Sequence, residues 1–236
     1  MGKWFRAAAL ALIAPLMLAG CLFMPGKFES TMNVRADRSF TFTYKGEVLA
    51  VDLAGMTGQM FAGLAAMGDK KEGEEGADTA PKGPSAEDVA KQDADNRELA
   101  AKLSKEPGYN KVEYRGNNVF YVDFSTSGTL THSFVYPYNQ DAGMVLPWVA
   151  IELRGKDMVR VKTPGFAKQD SSATGGMSSP EESKTDGVFT LTTDAEVVSQ
   201  NNEEGGTKAG GVTTIRWTLT PATEDAPTAV LRVKSL

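Results

Sequence analysis

The chain is poor in the residues that carry most recognisable chemistry. Its 236 residues contain one cysteine, Cys21, and one histidine, His132. A single thiol excludes an intramolecular disulfide, so hydrophobic burial and backbone hydrogen bonds must hold the fold together. Zinc sites draw on several His or Cys ligands, which this chain cannot supply. A Ser-His-Asp triad would have to use His132, yet no Gly-x-Ser-x-Gly elbow offers a nucleophile. Positive charge is short as well: 25 Lys and Arg stand against 30 Asp and Glu, a formal net charge of −5. Binding to a phosphate backbone needs a concentrated positive field, so no nucleic-acid partner is expected. After the first 21 residues no uninterrupted apolar run is long enough for a membrane-spanning helix.

What the chain does have is concentrated at its start. Lys3 and Arg6 form a positive head, Ala7 to Leu18 is an apolar run, and Leu18-Ala19-Gly20-Cys21 follows. The run has the length of a signal h-region and is too short to span a bilayer. The four closing residues resemble the lipobox of bacterial lipoproteins. That resemblance implies a diacylglyceryl group on the Cys21 thiol, cleavage between Gly20 and Cys21, and acylation (palmitate or a similar chain) of the new amine. Residues 1–20 would then be a removed signal peptide, and losing Lys3 and Arg6 makes the mature chain two charges more acidic. Each buried acyl CH₂ contributes about 0.8 kcal/mol, so two or three chains hold a domain on a membrane almost permanently. The covalent lipid on Cys21 is the only prosthetic group implied. Leu22 stands where an Asp would signal inner-membrane retention, which favours the periplasmic face of an outer membrane in a cell that has one.

The remaining chain reads mostly as strands. Residues 21–27 suggest a lipidated tether turning at Pro25-Gly26; six extended residues reach about 20 Å. Phe28 to Val34 and Ser39 to Lys45 suit a hairpin, with Phe40, Phe42 and Tyr44 alternating against Ser39, Thr41 and Thr43. Met56, Met60, Leu64 and Met67 then recur at helical spacing. This stripe reads first as a cover for the sheet, with lipid or partner contact as the alternative use of its adaptable thioethers. Residues 69–84 read as a disordered loop. Ser85 with Asp88 resembles a capping box opening a second helix to about residue 104.

From Tyr109 onward hairpin signals dominate. Gly116-Asn117-Asn118 separates two strands, and Trp148 to Leu153 suits pairing with Met158 to Lys162. Residues 164–186 and 201–211 read as flexible polar loops. The expected fold is α+β, with about 8–10 mostly antiparallel strands and two helices inserted after the first hairpin, in one domain over 28–236. This layout resembles membrane-anchored lipoproteins of the mycobacterial LppM type.

Candidate chemistry is sparse. Asp123, Glu152, Asp194 and Glu196 are the carboxylates placed to face a sheet surface, and glycosidase chemistry needs two in the right geometry. Polar residues on the solvated face of a sheet are the simpler reading of all four. The acidic residues at 69–78 and 201–204 lack the spacing of a calcium loop. Glu204 to Gly211 is Gly-rich, but Lys208 precedes Ala209 and no helix follows, so a hairpin loop is expected rather than a phosphate cradle. His132 shares strand parity with Leu130 and Phe134 and reads as a half-buried sheet residue. Tyr136, Tyr138 and Trp148 could stack on a glycan or peptide, or close the end of a sheet.

The leading expectation is a non-enzymatic envelope lipoprotein that binds a protein or lipid partner at the membrane surface. The alternatives are a membrane-tethered hydrolase using carboxylates on cell-wall material, and a carrier of a lipid or apolar ligand between sheet and helix.

Overall fold

The structure is a computed structural model and describes residues 21–52, 85–137, 147–168 and 184–236. Along Ser39–Asp52, Phe40, Phe42, Tyr44, Val48 and Ala50 are buried, while Thr41 and Lys45 between them are exposed. A strand with one apolar face must lay it against a second layer. Two sheets solve that problem for each other.

The larger sheet has seven strands: β1 (Cys21–Val34), β2 (Ser39–Asp52), β3 (Tyr109–Tyr114), β4 (Val119–Thr129), β8 (Asp186–Thr193), β10 (Thr207–Ala209) and β11 (Val212–Leu219). Their spatial order is β10-β11-β8-β1-β2-β4-β3, which makes β1 the central strand. The smaller sheet takes β5 (Phe134–Tyr136), β6 (Val149–Arg154), β7 (Met158–Lys162), β9 (Glu196–Gln200) and β12 (Thr228–Arg232), in the order β5-β6-β7-β12-β9. Neighbouring strands are antiparallel except β1 and β8, which run parallel in a register that sets Phe28 beside Gly187.

Aromatic rings join the layers. Phe42 of β2 lies 5.6 Å from Phe134 and 4.9 Å from Tyr136 of β5, and Tyr44 lies 5.2 Å from Trp148. Such pairs add about 0.5–1.5 kcal/mol each beyond the area they bury. Phe166, from a short 3-10 turn (Pro164–Phe166), is fully buried against Phe28 and Phe189. The helix α1 (Ala86–Leu103) starts at the Ser85–Asp88 capping box and covers the β3 side of the larger sheet. It attaches through a narrow stripe in which Asn96 and Ala100 are buried and Leu99 is partly so.

The two-helix α+β layout is corrected by this architecture. The described residues contain one α-helix, and strands make up more than half of those residues. The excess of strand comes from segments that read as connections. Cys21 to Lys27 belongs to β1, and residues 207–209 form β10 inside the expected loop 201–211. The residues of the expected Met-rich helix and the loop 69–84 lie outside the described residues. Among the described residues no helix is long and apolar enough to cross a membrane.

Candidate functional site at the Cys21 end

Strand β1 is paired from its first residue. Cys21 lies opposite Asp52, and the ladder continues through Phe23–Ala50 to Pro25–Val48 before the register shifts by the time it reaches Phe28–Gly46. The Pro25-Gly26 pair, which reads as a turn, is therefore a bulge within a strand. Proline cannot donate to a ladder, and a bulge is where a sheet tolerates it. Gly46 faces the irregularity at close range: a Cβ there would lie 2.4 Å from the Lys27 carbonyl oxygen. No larger residue fits without moving the strands apart.

Three other segments hold the same end of the β1–β2 pair. The Trp148 indole N–H donates to the Phe23 carbonyl at 3.1 Å, and the Thr185 hydroxyl donates to the Pro25 carbonyl at 3.3 Å. The Ala50 amide donates to the Asn118 carbonyl at 2.8 Å, which brings the β3–β4 hairpin tip alongside. Residues 21–27, expected as a tether, are thus part of the sheet.

The outward face of the sheet changes character along its length. Beside the Cys21 end, Met24, Leu49, Val51 and Val119 are half-buried. The next positions carry Tyr121, over whose ring the Arg115 guanidinium lies at 4.5 Å and the Lys111 ammonium at 5.5 Å. Farther from Cys21 come Glu29, Lys45 and Asp123, and then Thr31, Thr43, Thr41 and Ser127, with the Thr31 and Thr43 hydroxyls 2.6 Å apart.

The four candidate carboxylates do not assemble. Asp123 pairs with Lys45 at 3.3 Å on the larger sheet and accepts from Asn110 at 3.0 Å. Glu152, on the smaller sheet, takes Lys162, Arg160 at 2.7 Å and Arg154 at 3.1 Å. The Lys162 ammonium, with help from Arg160, holds the Glu152 carboxyl down at about 2 against the opposing effect of burial. Asp194 pairs with Arg35 at 3.0 Å and accepts from the Ala36 amide, and Glu196 pairs with Arg232 at 3.0 Å. Each carboxylate thus has its own cation. Among the described residues no group of His, Cys, Asp and Glu is placed to hold a metal ion.

His132 is exposed rather than half-buried, because β4 ends at Thr129 and β5 begins at Phe134, leaving it in the connection. Its Nδ1 lies 3.1 Å from the Thr131 hydroxyl. It lines a cleft of about 620 Å³ with Phe40, Ser127, Thr129, Ser133 and Phe134, at the opposite end of β2 from Asp52. Of the two readings of the aromatics, the sheet-end one fits: Tyr136 and Trp148 are only 4% and 3% exposed, and both pack in the core. Tyr138 lies outside the described residues, as do Met56, Met60, Leu64 and Met67. The Gly-rich segment supplies the β10–β11 turn, where Gly210 and Gly211 take φ of 56° and 79°.

One buried polar residue left no mark in the sequence pattern. Arg38 follows Asp37 in the β1–β2 turn, where an exposed side chain is the natural reading. Instead it is 3% exposed and donates to the carbonyls of Lys234, Leu130 and Lys156 at 2.6, 2.8 and 2.8 Å. It adopts φ of 76°, which turns the chain tightly enough to aim the guanidinium inward.

No family model and no curated protein sequence matches the chain. Among solved structures, the folded domain of the Mycobacterium tuberculosis LppM protein, determined by NMR, is similar at 16% identity and a TM-score of 0.32. The match covers 91% of this chain and 94% of that one.

Proposed function

We propose that this chain is a lipid-anchored protein of the cell envelope whose folded domain serves as a binding module at the membrane surface. The observation that carries the reading is the coincidence of two features at one residue. Cys21 closes a signal segment of lipobox type, and it is paired within β1 opposite Asp52. A lipid on that thiol would be attached directly to the central strand of the larger sheet. The dispersal of Asp123, Glu152, Asp194 and Glu196 into separate ion pairs supports binding over carboxylate catalysis, since glycoside cleavage needs two carboxyl groups flanking one bond. Leu22 in place of an inner-membrane retention signal favours the periplasmic face of an outer membrane, where the cell has one.

Replacing Cys21 by Ser tests the anchor. The Cys21→Ser chain should leave the membrane fraction and lose incorporation of a clickable fatty acid in growing cells. Undiminished labelling and membrane association would overturn the reading. Crosslinking in intact cells, followed by mass spectrometry, tests the binding role. The natural chain should capture an envelope protein or lipid that the Cys21→Ser chain does not.

A further inference from the structure

Chain length and side-chain chemistry agree on which surface meets the membrane. This inference rests on the lipid anchor proposed above. Because Cys21 is already hydrogen-bonded into the sheet opposite Asp52, nothing separates an acyl group on its thiol from the folded domain. An extended residue spans about 3.3 Å, so the first two or three pairs of the β1–β2 ladder must lie within the thickness of the headgroup layer.

The outward side chains at those pairs suit that layer. On β1, β2 and β4, apolar outward residues are confined to this end: Met24, Leu49, Val51 and Val119, all partly accessible. One step away stands Tyr121, flanked by the Arg115 and Lys111 cations. Beyond them the same face carries a charged row, Glu29, Lys45 and Asp123, and then threonines and serines. An apolar tip, an aromatic among charged side chains, and then a polar surface is the order in which a bilayer presents acyl chains, headgroups and water. The Arg115 guanidinium lies 4.0 Å from both the Glu47 and the Glu113 carboxylates, and Lys111 lies 2.9 Å from Glu113, so this ring of charge is of both signs, as suits a zwitterionic headgroup layer.

We propose that the outward face formed by Met24, Leu49, Val51 and Val119, with Arg115 and Tyr121 above it, lies in the phospholipid headgroup layer. The lipid anchor then fixes the orientation of the domain as well as its location. The His132 cleft is carried to the membrane-distal end, where it faces the aqueous compartment.

The test uses the full lipidated chain in vesicles of phosphatidylethanolamine and phosphatidylglycerol containing a headgroup spin-labelled lipid. A fluorophore is attached at Leu49→Cys or at Thr41→Cys, eight residues and about 26 Å along the same strand face. The Leu49→Cys label should lose most of its emission to the spin label, whereas the Thr41→Cys label should be quenched only by aqueous iodide. Equal behaviour of the two labels on chains that still float with the vesicles overturns the orientation and leaves the anchor standing. Failure of the lipidated chain to float overturns the anchor and this inference with it. Amide exchange, which needs no substitution in the face, gives a second readout. Residues 47–51 and 115–121 should exchange more slowly on vesicles than in the soluble Cys21→Ser chain, and equal rates there overturn the proposal.

Discussion

At the scale of single residues, Arg38 and Glu152 show two ways of keeping charge in a β protein. Arg38 has no acidic partner among its bonds; three carbonyl dipoles from separate segments surround its guanidinium. Removing the side chain leaves those oxygens without their donor, each an expensive loss where water is excluded. Arg38→Ala should lower unfolding stability by about 3 kcal/mol, read as a shift in urea midpoint. Arg38→Gly should cost about 1 kcal/mol less, because glycine accepts the positive φ without strain. Equal midpoints for the two variants would show that the backbone conformation carries no cost.

Glu152 is the pH-dependent case. Its folded pKa lies below the ordinary carboxylate value, at about 2, chiefly through the Lys162 ammonium. The stabilisation it gives is therefore present above the ordinary value near 4.5 and lost as pH falls toward 2. Glu152→Gln should cost about 1 kcal/mol at pH 7, after allowance for solvent screening, and almost nothing at pH 2. Urea titrations of both chains at the two pH values check this. A gap that persists in acid would mean that Glu152 acts through packing instead of charge.

At the scale of elements, local chemistry explains what was legible. Ser39 to Lys45 alternates, so its buried face could be named from sequence, and Phe40, Phe42 and Tyr44 are the residues found inside. The β3–β4 and β6–β7 hairpins were legible because each has its turn residues between two apolar runs. The α1 start was legible from a reciprocal cap three residues wide. Residues 21–27 misled because Pro-Gly normally ends a strand, and only a partner strand can show that it forms a bulge. The exposure of Tyr136 and Trp148 stayed open in the sequence because it is decided by the opposing sheet, which no local pattern reveals.

Helix α1 offers a test of docking independent of its cap. The Tyr114 hydroxyl donates to the Asp93 carboxylate and also accepts from the Asn118 amide at 3.2 Å, while Arg97 lies over the Tyr114 ring. Tyr114→Phe removes both hydrogen bonds and keeps the ring. Amides of residues 93–103 should then exchange faster by about a factor of five to ten, the equivalent of roughly 1 kcal/mol, with β1 and β2 unchanged. Acceleration spread evenly over the molecule would mean that the helix does not open separately.

At the scale of the whole molecule, long-range pairings decide the fold. β1 meets β8 in parallel across most of the chain length, and β12, almost the last segment, sits between β7 and β9. Nothing in either strand announces those neighbours, which is why the division into two sheets could not be read from the sequence. A chain truncated after Thr220 loses a central strand of the smaller sheet and the Lys234 carbonyl that receives Arg38. It should bind ANS and lose its near-UV dichroism. Retention of a cooperative unfolding transition would show that the larger sheet stands alone.

The central place of β1 also has a mechanical meaning. With the proposed lipid on Cys21, a pull on the anchor would travel along β1, which is hydrogen-bonded to β2 on one side and β8 on the other. The load on those two ladders is in shear, so many bonds resist together where an edge strand would peel one bond at a time. Fastened in that way, the protein would transmit force into the whole sheet, and the weak element under tension would be the seat of the acyl chains in the bilayer.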